Sequence, residues 1–264
     1  MTLSIDRATD AALPAAASLS DAAGWDVGER DWRRFFRSSA ATVLVGRRDD
    51  DAVGTATLVT YEGRDGPPVA WVGMILVHPE ERRQGYGTAL FEAAVERAPE
   101  DALVGLDANE MGYEVYADTG YHDVCTVTQW RGGLDVSVAD PAPEADVAAV
   151  LARDDVAVDR GPFLRELVGE DDVRAVATDE GYAVARPVGD AWQVGPLLAS
   201  TARERDRLLA GLALDGEVIV NAVRDDLSSV GLSRARSLTR MCDRPVDELL
   251  SAPPVVSVGG FAWG

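Results

Sequence analysis

The sequence VAWVGMILV, residues Val69–Val77, is a nearly continuous apolar run. A strand with one face in solvent alternates apolar and polar side chains, whereas an unbroken apolar run is typical of a strand buried on both faces. Such a strand lies within a sheet that is covered on each side. We therefore predict an α/β (α+β) protein in which helices flank the sheet.

The rest of the first half contains alternating helix and strand signals. Helices are predicted over three segments: residues 10–36 with a break between Gly24 and Gly28, residues 87–98 ending before Pro99, and residues 112–118 ending at Gly120. Further strands are predicted over four segments: residues 42–46, 52–61, 103–108 and 123–130. A turn is predicted at residues 63–68.

The second half repeats this order of elements with little sequence identity. Strands are predicted at residues 173–178, 181–186, 192–198, 217–223 and 237–242. One helix carries Leu208, Leu209 and Leu212, and a short one covers residues 225–230. Each half thus runs strand–strand–strand–helix–strand–helix–strand. We predict two related domains, residues 1–131 and 147–264, joined by a linker at residues 132–146 that is rich in Pro and Asp.

The charge balance restricts the partners of the protein. The chain has 45 acidic and 25 basic residues, a formal net charge of −20, and every basic residue is arginine. Two explanations stay open: a halophilic composition suited to a high-salt cytoplasm, and GC-rich coding, which favours arginine. In either case the charge disfavours a nucleic-acid partner. The absence of lysine excludes a P-loop lysine and a lysine Schiff base.

Cysteine, histidine and hydropathy patterns restrict the class of protein further. Cys125 and Cys242 lie far apart, and His78 and His122 add no metal-ligand spacing, so we expect buried thiols and no metal. No apolar run reaches the roughly 18–20 residues that a membrane-spanning helix needs. The N-terminal sequence lacks a signal-peptide pattern. We expect a cytoplasmic protein without a membrane partner.

The loop HPEERRQGYG joins the buried strand to the next helix. Gly85 and Gly87 let the backbone approach a ligand closely, and the helix N-terminus attracts anions through its unpaired N–H groups. Arg82 and Arg83 add charge-assisted hydrogen bonds to a diphosphate. The loop is therefore predicted to hold a pyrophosphate. It is not a dinucleotide fingerprint, because Leu90 follows where a third glycine is needed.

The segment VGMILVHPEERRQGYGTALFEAAVE resembles the acyl-CoA signature of the GNAT acetyltransferase superfamily, Gln/Arg-x-x-Gly-x-Gly/Ala. The resemblance implies a mixed GNAT-type sheet, with acetyl-CoA as co-substrate and no metal. It places the pantetheine arm beside the backbone of Ile75, Leu76 and Val77, like an extra strand at a splay in the sheet. It places the pyrophosphate on the loop, with Arg82, Gly85 and Gly87 at the fixed positions and Arg83, Gln84, Tyr86 and Thr88 between or beside them.

The sequence LDANEMGYEVYADTGY resembles a later motif of the family, in which an Asn and a Tyr flank the thioester. Asn109 and Tyr116 occupy these positions. The departing thiolate needs a proton, and a phenol with a pKa of ~10 can supply it, so Tyr116 is the candidate general acid. A packing tyrosine on an amphipathic helix is the alternative. For Tyr113 packing is the preferred interpretation.

The resemblance implies direct attack by an amine of a small molecule or peptide. In such proteins the acceptor enters near the segment GWDVGERDW, where Trp25, Asp26 and Glu29 are candidate substrate-binding residues. For Asp26 and Glu29 a solvated helix face is the preferred alternative. Trp25 and Trp32 either line a substrate pocket or pack between two helices and hold them together. A strand N–H near Leu76 is predicted to polarise the thioester carbonyl.

The whole chain resembles a narrower GNAT group that has a second, degenerate GNAT-like domain. The resemblance rests on AGWD, DRGPFLREL, VGPLLAST and the strand containing Arg240. VGPLLAST stands at the place of the cofactor loop but lacks its arginine and glycine pair, so this domain is expected to complete the acceptor pocket rather than bind CoA in the same way. Asp159 and Arg160 either face that pocket or form an internal ion pair at a helix start.

Two functions stay open on the sequence. The first is an N-acetyltransferase that moves an acetyl group from acetyl-CoA to an amine. The second is a non-catalytic acyl-CoA-binding sensor whose second domain reports occupancy. The complete loop and Tyr116 favour the enzyme, because a sensor has no need of the acid. A homodimer is compatible with either function.

Overall fold

A computed structural model describes residues 3–25, 27–223, 226–246 and 255–263. The strands are β1 Ser4–Arg7, β2 Ala41–Arg48, β3 Asp51–Gly63, β4 Val69–Val77, β5 Leu103–Ala108, β6 His122–Gly132, β7 Val158–Asp159, β8 Arg174–Ala177, β9 Tyr182–Val188, β10 Ala191–Leu198, β11 Glu217–Val223, β12 Ser233–Cys242 and β13 Val255–Ser257. The α-helices are α1 Leu13–Ala23, α2 Glu29–Arg37, α3 Tyr86–Val95, α4 Glu110–Asp118, α5 Val147–Leu151, α6 Gly161–Val168 and α7 Ala202–Gly211. No helix in these ranges is long and apolar enough to cross a membrane.

Most predicted elements are confirmed within a few residues. The buried strands β4, β5 and β11 have the predicted bounds, because their apolar runs end at polar, Gly or Pro residues. β12 begins at Ser233, earlier than predicted, because its first five residues are exposed and carry no apolar signal. The helix predicted at 225–230 is a 3-10 turn at Ser228–Val230, and residue 225 lies outside the described ranges. The short elements β1, α5 and β13 were not predicted.

One continuous mixed sheet runs through both halves of the chain. Its order is β1-β2-β3-β4-β5-β12-β6-β11-β13-β10-β9-β8. The β4–β5 and β10–β11 pairs are parallel, and the other principal pairs are antiparallel. Helices pack on the sheet, so the predicted α+β architecture is confirmed.

The two halves exchange their last long strands at the centre of this sheet. β12, from the second half, pairs with β5, and β6, from the first half, pairs with β11. β6 and β12 also pair with each other. The division into domains at residues 1–131 and 147–264 stays a prediction. Each of these two domains has, as a neighbour in the sheet, a long strand that the other domain supplies.

The parallel strands of the first half diverge and leave an open splay. β4 and β5 pair only as far as Val72↔Leu106. Beyond that point, among the described residues, no strand covers residues 73–77 of β4 on the side of β5. The splay predicted from the family resemblance is therefore present.

The parallel strands of the second half diverge in the same way, but their splay is filled. β10 and β11 pair only as far as Val194↔Val220. There β13 enters between them and pairs with Leu197 and Leu198 of β10 and with Ala222 of β11. The protein's own chain thus takes the position of an extra strand.

Apolar clusters cover both faces of β4, as its unbroken apolar sequence predicts. On one face Val72 packs with Leu90 and Phe91 of α3, and on the other Trp71 and Met74 join a cluster that includes α1, α2 and α6. Met74 has φ +49°, and the β3–β4 register shifts beside it, which marks a β-bulge. A third cluster covers the second half under α7.

The junction of the halves contains a buried ion pair. Arg240 of β12 donates from Nε and Nη2 to the two carboxylate oxygens of Asp107 in β5, each at 2.9 Å. The two side chains are 6% and 0% exposed. Arg240 also lies over the Trp71 ring, 4.3 Å from its centroid. This pair ties the exchanged strand to the first half, because loss of either member leaves the other charged and buried.

We expect the substitution Arg240→Met to lower the free energy of unfolding by roughly 3–5 kcal/mol, because the Asp107 carboxylate stays buried without a partner. Denaturant unfolding followed by circular dichroism measures the change.

The control is the double variant Asp107→Leu/Arg240→Met, which replaces the ion pair by apolar groups and is expected to lose much less stability. A double variant as unstable as the single one would contradict the role assigned to the pair.

Candidate functional site

The connection from β4 to α3 is a compact turn. It contains a 3-10 turn at Pro79–Glu81, and α3 begins at Tyr86. Two residues of the connection are left-handed, Arg83 with φ +62° and Gly85 with φ +80°. Glycine adopts this conformation without steric cost, which explains its presence immediately before the helix.

The first turn of α3 carries unpaired backbone donors. Gly85 precedes the helix and provides no capping side chain, and the first helical bond runs from the Ala89 N–H to the Gly85 carbonyl at 3.0 Å. Within the described ranges, the N–H groups of Gly87 and Thr88 have no acceptor. These donors lie at the positive end of the helix dipole, so the turn is suited to bind an anion.

Two exposed arginines lie in this turn. Among the described residues, neither Arg82 nor Arg83 has a carboxylate partner. Arg82 donates from Nε to the Val77 carbonyl at 3.2 Å, which leaves its terminal nitrogens for a ligand. The neighbouring Glu81 is paired with Arg48 at 2.6 Å. The local charge available to a ligand is therefore positive, although the chain is strongly acidic.

Other polar side chains of the turn form hydrogen bonds with one another. Gln84 donates from Nε2 to Glu81 at 2.9 Å and accepts a bond from the Tyr86 hydroxyl at 3.3 Å. The structure thus brings the predicted loop residues together at one end of β4.

The corresponding helix of the second half, α7, has a capped N-terminus. Only residues 199–201 separate it from β10. The Thr201 hydroxyl accepts from the Glu204 N–H at 3.1 Å, and the Glu204 side chain lies buried in the first turn. The N–H of Glu204 is therefore occupied, and its carboxylate pairs with Arg207 at 3.2 Å, so this helix start offers one donor fewer to an anion than that of α3.

The free edge of β4 leads away from the anion-binding turn. The His78 N–H donates to Val53 of β3 at 2.9 Å, and backbone groups along a strand point alternately to its two sides. The groups of Val77 and Ile75 therefore point into the splay, whereas those of Leu76 point to β3. The backbone N–H that is expected to polarise the thioester carbonyl is consequently that of a residue next to Leu76, because by this alternation the N–H of Leu76 itself points to β3.

Asn109 and Tyr116 lie on α4, which follows β5. The Asn109 side-chain oxygen accepts from the Gly112 N–H at 2.9 Å, so this residue caps the helix. The Tyr116 ring packs on Phe91 of α3 with centroids 4.9 Å apart, and its hydroxyl has no partner among the described residues. Burial raises the pKa of Tyr116 to about 12. Its hydroxyl is therefore a protonated group that is free to donate.

Tyr113, on the same helix, has a different environment. Its hydroxyl donates to Asp123 at 3.2 Å, at the protein surface. The bond with Asp123 raises the pKa of Tyr113. This contact agrees with the structural role preferred for Tyr113.

The two tryptophans near the predicted acceptor entrance differ in burial. Trp32 is fully buried, and its Nε1 donates to the Ser20 hydroxyl at 2.8 Å. It staples α2 to α1 and has no surface to offer a substrate. Trp25 is partly exposed at the edge of the same apolar cluster. Trp25 alone therefore stays a candidate for the acceptor side.

Of the two acidic candidates in the segment GWDVGERDW, the structure describes only Glu29. Glu29 pairs with Arg33 at 2.9 Å, and its side chain is 56% exposed, as expected for a solvated helix face. Asp26 lies outside the described residues. In the described ranges no cluster of three or more His, Cys, Asp and Glu residues is able to hold a metal ion.

Asp159 and Arg160 have internal partners at the start of α6. Arg160 is buried, forms an ion pair with Asp154 and donates to the Tyr182 hydroxyl at 3.0 Å. Asp159 accepts from the Gly161 N–H at 2.9 Å. The internal ion pair predicted as one alternative is confirmed for Arg160, with Asp154 as its partner.

Sequence analysis did not identify three features beside the splay: Trp71, the Asp107–Arg240 pair and the segment 258–263. Trp71 is one apolar residue in an apolar run, and its pairing with Arg240 joins residues distant in sequence. Of these features, only the strand containing Arg240 gives a signal in the sequence, through the family resemblance.

Comparison with known proteins agrees with this geometry. The model of the acetyltransferase (GNAT) family matches residues 10–121, which contain the β4–α3 turn, Asn109 and Tyr116. No curated protein sequence matches the chain.

Solved structures with the same fold span nearly the whole chain. A candidate acetyltransferase from Pyrococcus horikoshii matches with a TM-score of 0.81 and 19% identity, over 99% of this chain and 96% of the other. A tandem GNAT protein from the clavulanic acid biosynthesis pathway matches with a TM-score of 0.64 and 18% identity, over 93% of this chain and 100% of the other. At these identities the likeness concerns the fold. The acetyltransferase (GNAT) family model therefore accounts for residues 10–121, and the fold of the whole chain is similar to that of a tandem GNAT protein.

Proposed function

We propose that the protein is an N-acetyltransferase that moves the acetyl group of acetyl-CoA to an amine. The observation that carries the proposal is the contrast between the two halves. Among the described residues of the first half, an open splay adjoins an uncapped helix N-terminus and two arginines without a carboxylate partner, whereas the second half has a filled splay and a capped helix. Only the first half thus combines a free backbone edge with donors for an anion, and this combination supports the binding of an acyl-CoA there.

The co-substrate binds in two parts. Its pyrophosphate lies on the first turn of α3, where the N–H groups of Gly87 and Thr88 and the side chains of Arg82 and Arg83 donate to it. Its pantetheine arm lies along β4 and bonds to the backbone groups of Val77 and Ile75 that point into the splay. The thioester then lies at the narrow end, where β4 and β5 begin to diverge.

Catalysis uses position and proton transfer rather than a covalent enzyme intermediate. The amine nitrogen attacks the thioester carbonyl carbon, and a backbone N–H facing the splay stabilises the oxyanion. As the carbon–sulfur bond breaks, the thiolate takes the proton of Tyr116. The attacking nitrogen, which becomes positively charged when the new bond forms, releases a proton to solvent, and Tyr116 regains its proton from solvent. The unpartnered hydroxyl of Tyr116 and the raised pKa of this residue support that assignment.

The substitution Arg83→Ala is expected to weaken acetyl-CoA binding about 10- to 100-fold, because a charge-assisted hydrogen bond contributes roughly 1.5–3 kcal/mol. Calorimetric titration of acetyl-CoA at low and at molar KCl measures it. The matched control is Arg203→Ala in the first turn of α7, which is expected to leave the affinity unchanged. Equal affinities of wild type and Arg83→Ala would contradict the loop assignment.

The substitution Tyr116→Phe is expected to lower kcat by about 10²-fold while the acetyl-CoA affinity stays within about twofold, because the ring still packs on Phe91. Thiol release with a panel of primary amines gives kcat, and calorimetry gives the affinity. An unchanged kcat would assign thiolate protonation to another group or to water.

Binding of acetyl-CoA by wild type without thiol release from any amine would favour the sensor instead.

The pH dependence follows from the pKa of Tyr116. The protonated hydroxyl is the active form, and burial raises its pKa from 10.0 to about 12, so protonation is lost only at high pH. We therefore expect no decline in kcat from ionisation of Tyr116 between about pH 8 and about pH 10.5, once the fraction of neutral amine at each pH is taken into account. Above pH 10.0 the unfolded chain releases the Tyr116 proton while the folded protein keeps it, so the free energy of unfolding falls as the pH rises. Circular dichroism at each pH therefore checks that the protein is folded when kcat is measured. A decline near pH 9 that is absent in Tyr116→Phe would contradict this expectation.

A further inference from the structure

The C-terminal segment, residues 258–263, leaves the second half and crosses to the first. It follows β13, which is held between β10 and β11. The Val258 N–H donates to the Asn221 carbonyl at 3.1 Å, and Arg186 of β9 donates from Nη2 to the Gly259 carbonyl at 3.3 Å. The filled splay of the second half thus anchors the start of this segment.

The end of the segment lies against the first half. The Trp71 indole N–H of β4 donates to the Phe261 carbonyl at 2.8 Å, and the Tyr61 hydroxyl of β3 donates to the Trp263 carbonyl at 3.0 Å. At Gly73 the contact is so close that an added Cβ would lie 2.8 Å from Ala262 Cα. The segment therefore covers β4 directly where β4 leaves β5.

Trp263 fixes the segment in an aromatic stack. Its ring lies 4.2 Å from that of Phe35 at an interplanar angle of 7°, and 4.6 Å from that of Phe163 at 25°. Trp263 is only 4% exposed. Phe35 belongs to α2 of the first half and Phe163 to α6 of the second, so the ring joins both halves.

Residues 258–263 lie on the face of β4 from which an acceptor amine would reach the thioester. With the pyrophosphate at the Val77 end of the splay, the thioester points to the narrow end at Gly73 and Met74. One face of β4 is covered there by α3. An amine must therefore approach from the opposite face, which is the face of α1, α2 and Trp263.

We propose that residues 258–263 form a wall of the acceptor site and that Trp263 determines which nucleophiles reach the thioester. This inference rests on the proposed function. The wall keeps water and bulky amines away, so a slender primary amine that enters beside α1 and α2 is the acceptor class that the site admits. The second half thus contributes to specificity through its tail, without a ligand site of its own.

The test is the rate of acetyl-CoA hydrolysis without any amine, measured by thiol release, in wild type and Trp263→Ala. We expect hydrolysis to rise about tenfold in the variant, because the loss of a ring opens a path for water. Acetyl-CoA affinity, measured by calorimetry, is expected to stay within about twofold, because the pyrophosphate turn lies elsewhere. The matched control is Trp130→Ala, which removes an equally buried indole from the cluster under α7 and is expected to leave hydrolysis unchanged.

Selectivity provides a second measurement. The ratio of kcat/KM for tryptamine to that for methylamine is expected to rise at least about tenfold in Trp263→Ala, as is usual when a pocket gains room for a larger group. If Trp263→Ala does not fold by circular dichroism, Trp263→Leu keeps an apolar side chain and is expected to give a smaller rise in both quantities.

The outcomes separate the two proposals. If wild type does not bind acetyl-CoA, the proposed function fails and this inference with it. If wild type binds acetyl-CoA but neither hydrolysis nor the amine ratio changes in a folded Trp263 variant, only the wall is overturned. The same rise in Trp130→Ala would also overturn it, because the effect would then come from lost stability.

Discussion

Where two parallel strands diverge, the backbone N–H and C=O groups that face the gap lose their partners and must find others. This protein contains two such gaps, and the rest of the structure is arranged around them. In the second half β13 fills the gap by adding a strand. In the first half, among the described residues, no strand enters, and the gap adjoins the uncapped start of α3. In the second half β13 thus supplies the hydrogen-bond partners that the diverging strands need, whereas in the first half the free edge is suited to an extended ligand.

The halves depend on each other physically. Each supplies its last long strand to the sheet of the other, and the buried Asp107–Arg240 pair lies where β12 joins β5. A buried charge pair is sensitive to misplacement, because either group alone carries a large desolvation cost. The segment that follows β13 adds a second connection across β4. The open splay is therefore framed by residues from both ends of the chain.

Local pattern was sufficient to predict most of the elements and the glycine-containing turn between β4 and α3. The apolar run of β4, its glycine-containing exit and the following amphipathic helix are all encoded within about thirty consecutive residues. Tyr116 was found through its spacing in a family motif. The exchange of β6 and β12 and the role of β13 were not predicted, because strand pairing between distant segments leaves no local signal. The sequence likewise left open whether Trp32 lines a pocket or packs between two helices. Its complete burial and its hydrogen bond to Ser20 decide for packing.

The amino-acid sequence by itself determined where strands and helices form, and it determined that one loop carries glycines and arginines suited to a pyrophosphate. These properties depend on residues close together in the chain, so periodicity and residue type are enough to reveal them. Only the tertiary structure decided which splay stays open, which arginines have no carboxylate partner among the described residues, and that residues 258–263 lie across β4. Those outcomes depend on contacts between residues far apart in sequence, such as Trp71 with Phe261 and Asp107 with Arg240, which form only when the whole sheet is assembled.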